Sequence, residues 1–226
     1  MNKYHIFVIN VSDQRWEKYA GDERFTRWKG VNGKEDLSIE FCNDKYHYYW
    51  NANENHRKSV AGCTESHLAC LKHIYDNKIH DAIIIEDDAV VNFDQLDFCP
   101  LDRISPNDIL YIGGMFHPPI LKNLKTFIPP VIDCEEGFRK VINIEPDKFL
   151  ITNAHGIYIP KPDLALIMMQ KKGKKRRVID VEYKNLQKAG QMKKFLYPAL
   201  VTLHLEDAKD GFTWSKYKLK DDLEYY

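Results

Sequence analysis

The sequence predicts an α/β protein with a mostly parallel central sheet. Three observations carry that reading. Strand-like and helix-like segments alternate from residue 4 to about residue 205. Ile83-Ile84-Ile85 is an unbroken apolar run, the pattern of a strand covered on both faces. Residues 64–78 carry Leu68, Leu71, Ile74 and Tyr75 at three- and four-residue spacing, which makes one apolar helix face.

The elements follow in order. Residues 4–11 form a first strand through Ile6, Val8 and Ile9. Ser12 or Asp13 can cap a short helix reaching about residue 19. Residues 24–31 read as a second strand ending at the turn Val31-Asn32-Gly33. Residues 36–55, rich in Tyr, Asn and His and without a period, read as a long loop, and long loops in compact domains are often functional. After helix 64–78 come a buried strand at 81–86 and another at 108–114. Short strands are expected at 140–144 and 155–159, helices at 162–171 and 181–189, and a last strand pair within 195–204.

The chain has 226 residues, with 33 Lys and Arg against 33 Asp and Glu, so its formal net charge is zero. Apolar residues at 44% and charged ones at 29% describe a globular chain rather than a disordered one. Neutrality argues against a general nucleic-acid binder. No apolar stretch reaches the roughly 18 residues a membrane span needs. Tyr4-His5-Ile6 runs into a strand without a secretory leader pattern, so a cytoplasmic protein is expected. The five cysteines (Cys42, Cys63, Cys70, Cys99 and Cys134) are odd in number and form no C-x-x-C pair, so they are expected reduced.

Glu86-Asp87-Asp88 is the most informative motif. Three carboxylates directly after a buried Ile run fall at the carboxyl end of a central strand, where open α/β sheets bind ligands. Clustered like charges are costly without a cation, and hard carboxylate oxygens select Mg²⁺ or Mn²⁺. A solvated, capping turn is the bland alternative. Receiver domains and aspartyl-phosphate phosphatases carry such acids on the first strand, which here ends Ile9-Asn10-Val11 with no acid before Asp13. No pair of carboxyls suited to a glycosidase stands out.

Residues 8–15, Trp28-Lys29-Gly30-Val31-Asn32-Gly33, Gly62-Cys63-Thr64-Glu65-Ser66-His67 and Ile85-Glu86-Asp87-Asp88, taken together, resemble segments of glycosyltransferase family 25, the lipooligosaccharide and procollagen galactosyltransferase group, and of related virus-encoded enzymes. Val8-Ile9-Asn10-Val11-Ser12-Asp13-Gln14-Arg15 resembles its opening strand, and Trp28-Lys29-Gly30-Val31-Asn32-Gly33 its Ala-Val-Asp-Gly turn with Asn32 in place of Asp. Gly62-Cys63-Thr64-Glu65-Ser66-His67 is similar to its Gly-Cys-x-x-Ser-His helix, and Ile85-Glu86-Asp87-Asp88 to its Leu-Glu-Asp-Asp strand end. Asn153-Ala154-His155-Gly156, Val178-Ile179-Asp180 and Tyr197-Pro198-Ala199-Leu200-Val201 continue the likeness in family order. His204 stands where many members have Gln, and the chain is short for the group.

The resemblance implies a GT-A-like nucleotide-sugar-binding sandwich over a single domain, residues 1–226. Its donor-binding part is 1–115, its acceptor side 116–205 and its tail 206–226. It implies inverting transfer from a nucleotide sugar, a UDP-sugar first, to a glycan or protein-linked hydroxyl, with Mn²⁺ or Mg²⁺ on the diphosphate. Asp88 is then the principal metal ligand, with Glu86 or Asp87 on the ribose or a metal-bound water. His204 is a further metal ligand, or a histidine satisfied by hydrogen bonds. Asp180 is the candidate base for the acceptor hydroxyl, or a helix cap. Asn10, Arg15, Asn32, Ser66 and His67 are donor-contact candidates, Arg15 through its fork of donors. The competing functions are a non-catalytic nucleotide- or glycan-binding module and a metal-dependent phosphohydrolase. The basic run 171–177 reads as a solvated loop, a nucleic-acid patch or a loop closing over the diphosphate. Tyr46, Tyr48, Tyr49 and Trp50 read as core or as a sugar platform.

Overall fold

The computed structural model describes residues 3–47, 53–91, 101, 104–119, 127–134, 138–153, 155–170, 174–197 and 199–202. Its elements are β1 (His5–Asn10), α1 (Asp13–Trp16), β2 (Phe25–Lys29), α2 (Gly33–Asp36), α3 (Ile39–Lys45), β3 (Tyr46–His47) and α4 (Glu54–Asp76). They continue as β4 (Ala82–Glu86), β5 (Val90–Val91), β6 (Ile109–Tyr111), β7 (Met115–His117), β8 (Lys140–Asn143), β9 (Leu150–Thr152) and β10 (Gly156–Ile159). The last are α5 (Pro162–Met169), β11 (Arg176–Arg177), α6 (Ile179–Lys188), β12 (Met192–Tyr197) and β13 (Val201–Thr202).

The central sheet has seven strands in the order β2-β1-β4-β10-β6-β12-β8. β2, β1, β4, β6 and β12 run one way; β10 and β8 run against their neighbours. The sheet is therefore mixed, with the parallel direction dominant, as a GT-A-like α/β fold requires.

Period two divides each central strand between two cores. Phe7, Ile9, Ala82, Ile84, Ile157, Ile159, Ile109 and Tyr111 face one side, where Leu71 and Ile74 of α4, Leu164 and Met168 of α5, and Tyr183 and Leu186 of α6 cover them. Ile6, Val8, Ile83, Ile85, Leu110 and Tyr158 face the other, under Tyr19, Leu101, Leu200 and Val201. The triple isoleucine is buried because both faces of β4 are covered.

Two expectations change. α4 begins ten residues before the expected start at residue 64, because Asn53 caps it by accepting from the His56 N–H at 2.9 Å. The supposed loop 36–55 holds the short α3, capped by Ser38 Oγ accepting from Phe41 N at 3.1 Å, and β3. Short, mostly exposed helices show little periodicity to read.

α2 and the turn before it pack against α4 backbone to backbone. A Cβ on Gly33 would lie 1.8 Å from the Lys58 carbonyl oxygen, and one on Gly62 would lie 2.5 Å from Gly33 N. Neither neighbour is a flexible side-chain end, so relief requires the helix or the turn to move. Gly33→Ala is expected to cost about 3 kcal/mol, the upper part of the usual overpacking range. Thermal unfolding should then fall by roughly 6–12 °C for a chain of this size. A melting temperature within a degree of wild type would show that α2 is free to shift.

Candidate active site at the carboxyl ends of β1 and β4

β1 and β4 are parallel neighbours with Ile9 opposite Glu86, so both strands end at one level of the sheet. Glu86 is the centre of what gathers there. Its Oε1 accepts from Cys63 Sγ at 3.3 Å and pairs with His67 Nε2 at 3.1 Å; both partners lie on α4. Its Oε2 pairs with His155 Nδ1 at 2.9 Å. Burial pushes the Glu86 carboxyl up, but the hydrogen bonds from His155 and His67 outweigh it and hold the group well below the usual carboxylate range. His155 shifts the other way. Burial opposes its charge, and the bond to Glu86 more than compensates, so its pKa is raised.

Asp87 faces away from this cluster, as alternation along an extended chain dictates. It is buried. Its Oδ2 accepts from Asn10 Nδ2 at 2.7 Å and from Val11 N at 3.2 Å, and its Oδ1 pairs with Arg15 Nη1 at 3.0 Å. Asn10 is spent in the same network: Nδ2 also donates to the Ser12 carbonyl and Oδ1 accepts from Arg27 Nε. Asp87 and Asn10 thus tie the ends of β1 and β4 together. Arg15 remains half exposed, its pKa raised by the Asp87 bond, with part of its fork turned to solvent. Asn10 is itself buried.

Asp88 is exposed on the same side as Glu86. Partial desolvation and then the Glu86 charge push its carboxyl up. Glu86, Asp88 and His155 each offer a ligand atom within 4.8 Å of the others. His155 Nε2 is buried and has no hydrogen-bond partner among the described residues. An orphan imidazole nitrogen beside two carboxylates fits a divalent ion, and two oxygens with one nitrogen suit Mn²⁺ better than Mg²⁺. The sequence alone assigns His155 no role beyond its place in the Asn153-Ala154-His155-Gly156 likeness. The missing signal was topology: β10 runs antiparallel to β4, with Gly156 opposite Ile85, so the residue before β10 meets the residue that ends β4. Asn153, two residues before His155, has φ 69°, a left-handed conformation Asn tolerates.

Asp180 enters from α6. The N-cap of that helix is Val178, so Asp180 lies in the first turn and is not the cap. The Ile179 N–H bonds Thr64 Oγ1 at 3.1 Å and Tyr183 OH meets His67 Nδ1 at 3.2 Å, which pins the first turns of α6 onto α4. Burial and then the Glu86 charge raise the Asp180 pKa; Lys184, His155 and His67 pull against them. Asp180 therefore shares the electrostatic environment of Glu86 and both histidines.

The 62–67 segment is legible position by position. Gly62 permits the close approach to Gly33. Cys63 and His67 point at Glu86. Ser66 Oγ donates to the Gly62 carbonyl and accepts from Val31 N at 2.8 Å, so its hydroxyl anchors the 31–33 turn. Asn32, at that turn, uses its backbone N–H on Asp36 Oδ2, and its side chain makes no cap bond to α2.

A profile of glycosyltransferase family 25 (LPS biosynthesis protein) matches residues 4–134, more than half of the chain. The chain belongs to glycosyltransferase family 25. It is a glycosyltransferase, and as such takes a sugar donor and an acceptor. The matched span holds β1, the Gly-Cys-x-x-Ser-His helix and the acidic strand end; His155 and Asp180 come from beyond it. No curated protein matches the chain.

Other expected features divide by position. His204, Tyr48, Tyr49, Trp50, Cys99, residues 171–173 and the tail lie outside the described residues. Tyr46 is core, its hydroxyl bonded to Glu65. Arg176 and Arg177 are not a loose loop: they form β11 beside β3, with Arg176 Nη2 on the Met169 carbonyl. Among the described residues Cys42, Cys63, Cys70 and Cys134 form no disulfide. No helix among the described residues is long and apolar enough to cross a membrane.

Proposed function

We propose that this glycosyltransferase moves a sugar from a nucleoside-diphosphate sugar, a UDP-sugar first, to a hydroxyl of a glycan or protein-linked acceptor, with inversion and with a divalent cation. The observation that carries the reading is the convergence of Glu86, Asp88 and His155 at the strand end, with Asp180 close enough to be shifted by Glu86.

Glu86, Asp88 and His155 would hold Mn²⁺, with His204, which lies outside the described residues, a further candidate. A cation so placed supplies charge stabilisation to a leaving diphosphate. Arg15, oriented by Asp87, offers its remaining donors to phosphate oxygens. Asn32, on the 31–33 turn that packs beside α4, is the candidate contact for the nucleoside half of the donor. Asp180, with a raised pKa, takes the proton from the acceptor hydroxyl as that oxygen attacks the anomeric carbon from the face opposite the diphosphate. Asp87, Ser66 and His67 serve the reaction through the residues they hold in place.

A thermal-shift panel of nucleotide sugars with and without Mn²⁺ tests the reading. A donor at about 100 times its dissociation constant should add roughly 2.7 kcal/mol. The shift should require Mn²⁺ and disappear in Asp88→Asn. Donor-induced shifts equal in the presence and absence of metal, or undiminished in Asp88→Asn, would remove the cation from the account.

A further inference from the structure

Glu86 presents two oxygens to two different groups. Oε2 faces His155, on the side of the proposed donor cation. Oε1 faces α4, where Cys63 Sγ lies 3.3 Å away and His67 Nε2 3.1 Å away. These three atoms form a second set within 4.8 Å of one another. Cys63 and His67 are one helical turn apart, so α4 itself holds them on one face. The proposed transfer uses neither Cys63 Sγ nor His67 Nε2 as a ligand.

We propose that Cys63, His67 and Glu86 form a separate site for a thiophilic divalent cation, Zn²⁺ being the type, with one coordination position left for water or a small ligand. One thiolate, one imidazole and one carboxylate match borderline-soft ions and disfavour Mg²⁺. Contacts of 3.1 and 3.3 Å between the donor atoms are close to the edges of a tetrahedron whose metal–ligand bonds are about 2.0–2.3 Å.

The proton balance closes with one proton released to solvent. The contacts fit a metal-free arrangement in which the Cys63 thiol and the His67 Nε2–H donate to Glu86 while His67 Nδ1 accepts from Tyr183 OH. On binding, Cys63 gives up one proton to solvent. The His67 proton moves to Nδ1, and Tyr183 turns from donor to acceptor, which a phenol oxygen can do at the same 3.2 Å contact. A metal-bound histidine normally donates its other ring N–H to such a partner, and here that partner is already in place. The site stands on these contacts alone and does not depend on the sugar-transfer reading.

Titration of the whole chain with Co²⁺ tests it. A near-ultraviolet thiolate-to-cobalt charge-transfer band is expected in wild type, retained in Asp88→Asn and lost in Cys63→Ser. No band, a band that survives Cys63→Ser, or a band that needs Asp88 overturns the site. Failure of the donor panel with a retained cobalt band would sink the sugar-transfer reading and leave this site standing. Zinc-edge X-ray absorption of the unsubstituted chain gives an answer independent of any packing change in Cys63→Ser. One sulfur at about 2.3 Å among nitrogen and oxygen neighbours is expected. A shell without sulfur, or with two or more, overturns it.

Discussion

Asp180→Asn is expected to lower kcat by roughly 10²–10⁴-fold, the usual worth of a positioned general base. Donor binding and folding should be retained. The expectation rests on where the carboxyl is. It projects from the first turn of a helix pinned to α4 by Thr64 and Tyr183, and it makes no hydrogen bond to a described residue that would mark it as structural. Its raised pKa comes from burial and then from Glu86. A carboxylate that resists ionisation is a stronger base when it does ionise. Activity should therefore fall on the acid side through a pKa above the ordinary aspartate value, and that limb should vanish in the variant. Stability should behave oppositely. Removing a buried negative charge that Glu86 repels should hold or slightly raise the melting temperature. Unaltered turnover in Asp180→Asn would end the base role, and a large loss of stability would make the residue structural instead.

The strand and helix framework was legible where burial imposes a period. β1, β4 and α4 read directly from apolar spacing, and the acidic strand end read from the run that precedes it. The acidic triplet was legible as a carboxylate cluster at a strand end but was not divided between its two faces. Period two puts Glu86 and Asp88 on one side and Asp87 on the other, and only the neighbouring strand β1 shows that Asp87 is spent on Asn10, Val11 and Arg15. His155 was illegible for a different reason. Its role depends on β10 running antiparallel beside β4, a long-range pairing that no local pattern encodes. Gly62, Cys63, Ser66 and His67 were visible through family likeness, while the physical reasons for them required the contact with Gly33, Val31 and Glu86.

Glu86→Gln should be the most destabilising conservative change in the site. The carboxylate answers three donors, from Cys63, His67 and His155. An amide keeps one acceptor oxygen and turns an N–H₂ toward a donor on the other side, whichever way it is flipped. Removing one partner of a buried pair and leaving the other charged costs about 3–5 kcal/mol. For this length that is a fall of roughly 6–20 °C in melting temperature. The pH dependence follows from the two shifts. Glu86 is depressed, so its contribution is present above its ordinary 4.5 and is lost as pH falls toward the depressed value. His155 is raised, so its contribution is full below its ordinary 6.5 and is lost as pH rises through the raised value. Both act together between pH 4.5 and 6.5. The gap between wild type and Glu86→Gln should be widest in that window and narrow on either side. Melting curves across pH 3–9 would read it directly. A gap that stays flat over the whole range would mean that Glu86 and His155 do not form an ion pair, and the electrostatic account of the strand end would fall with it.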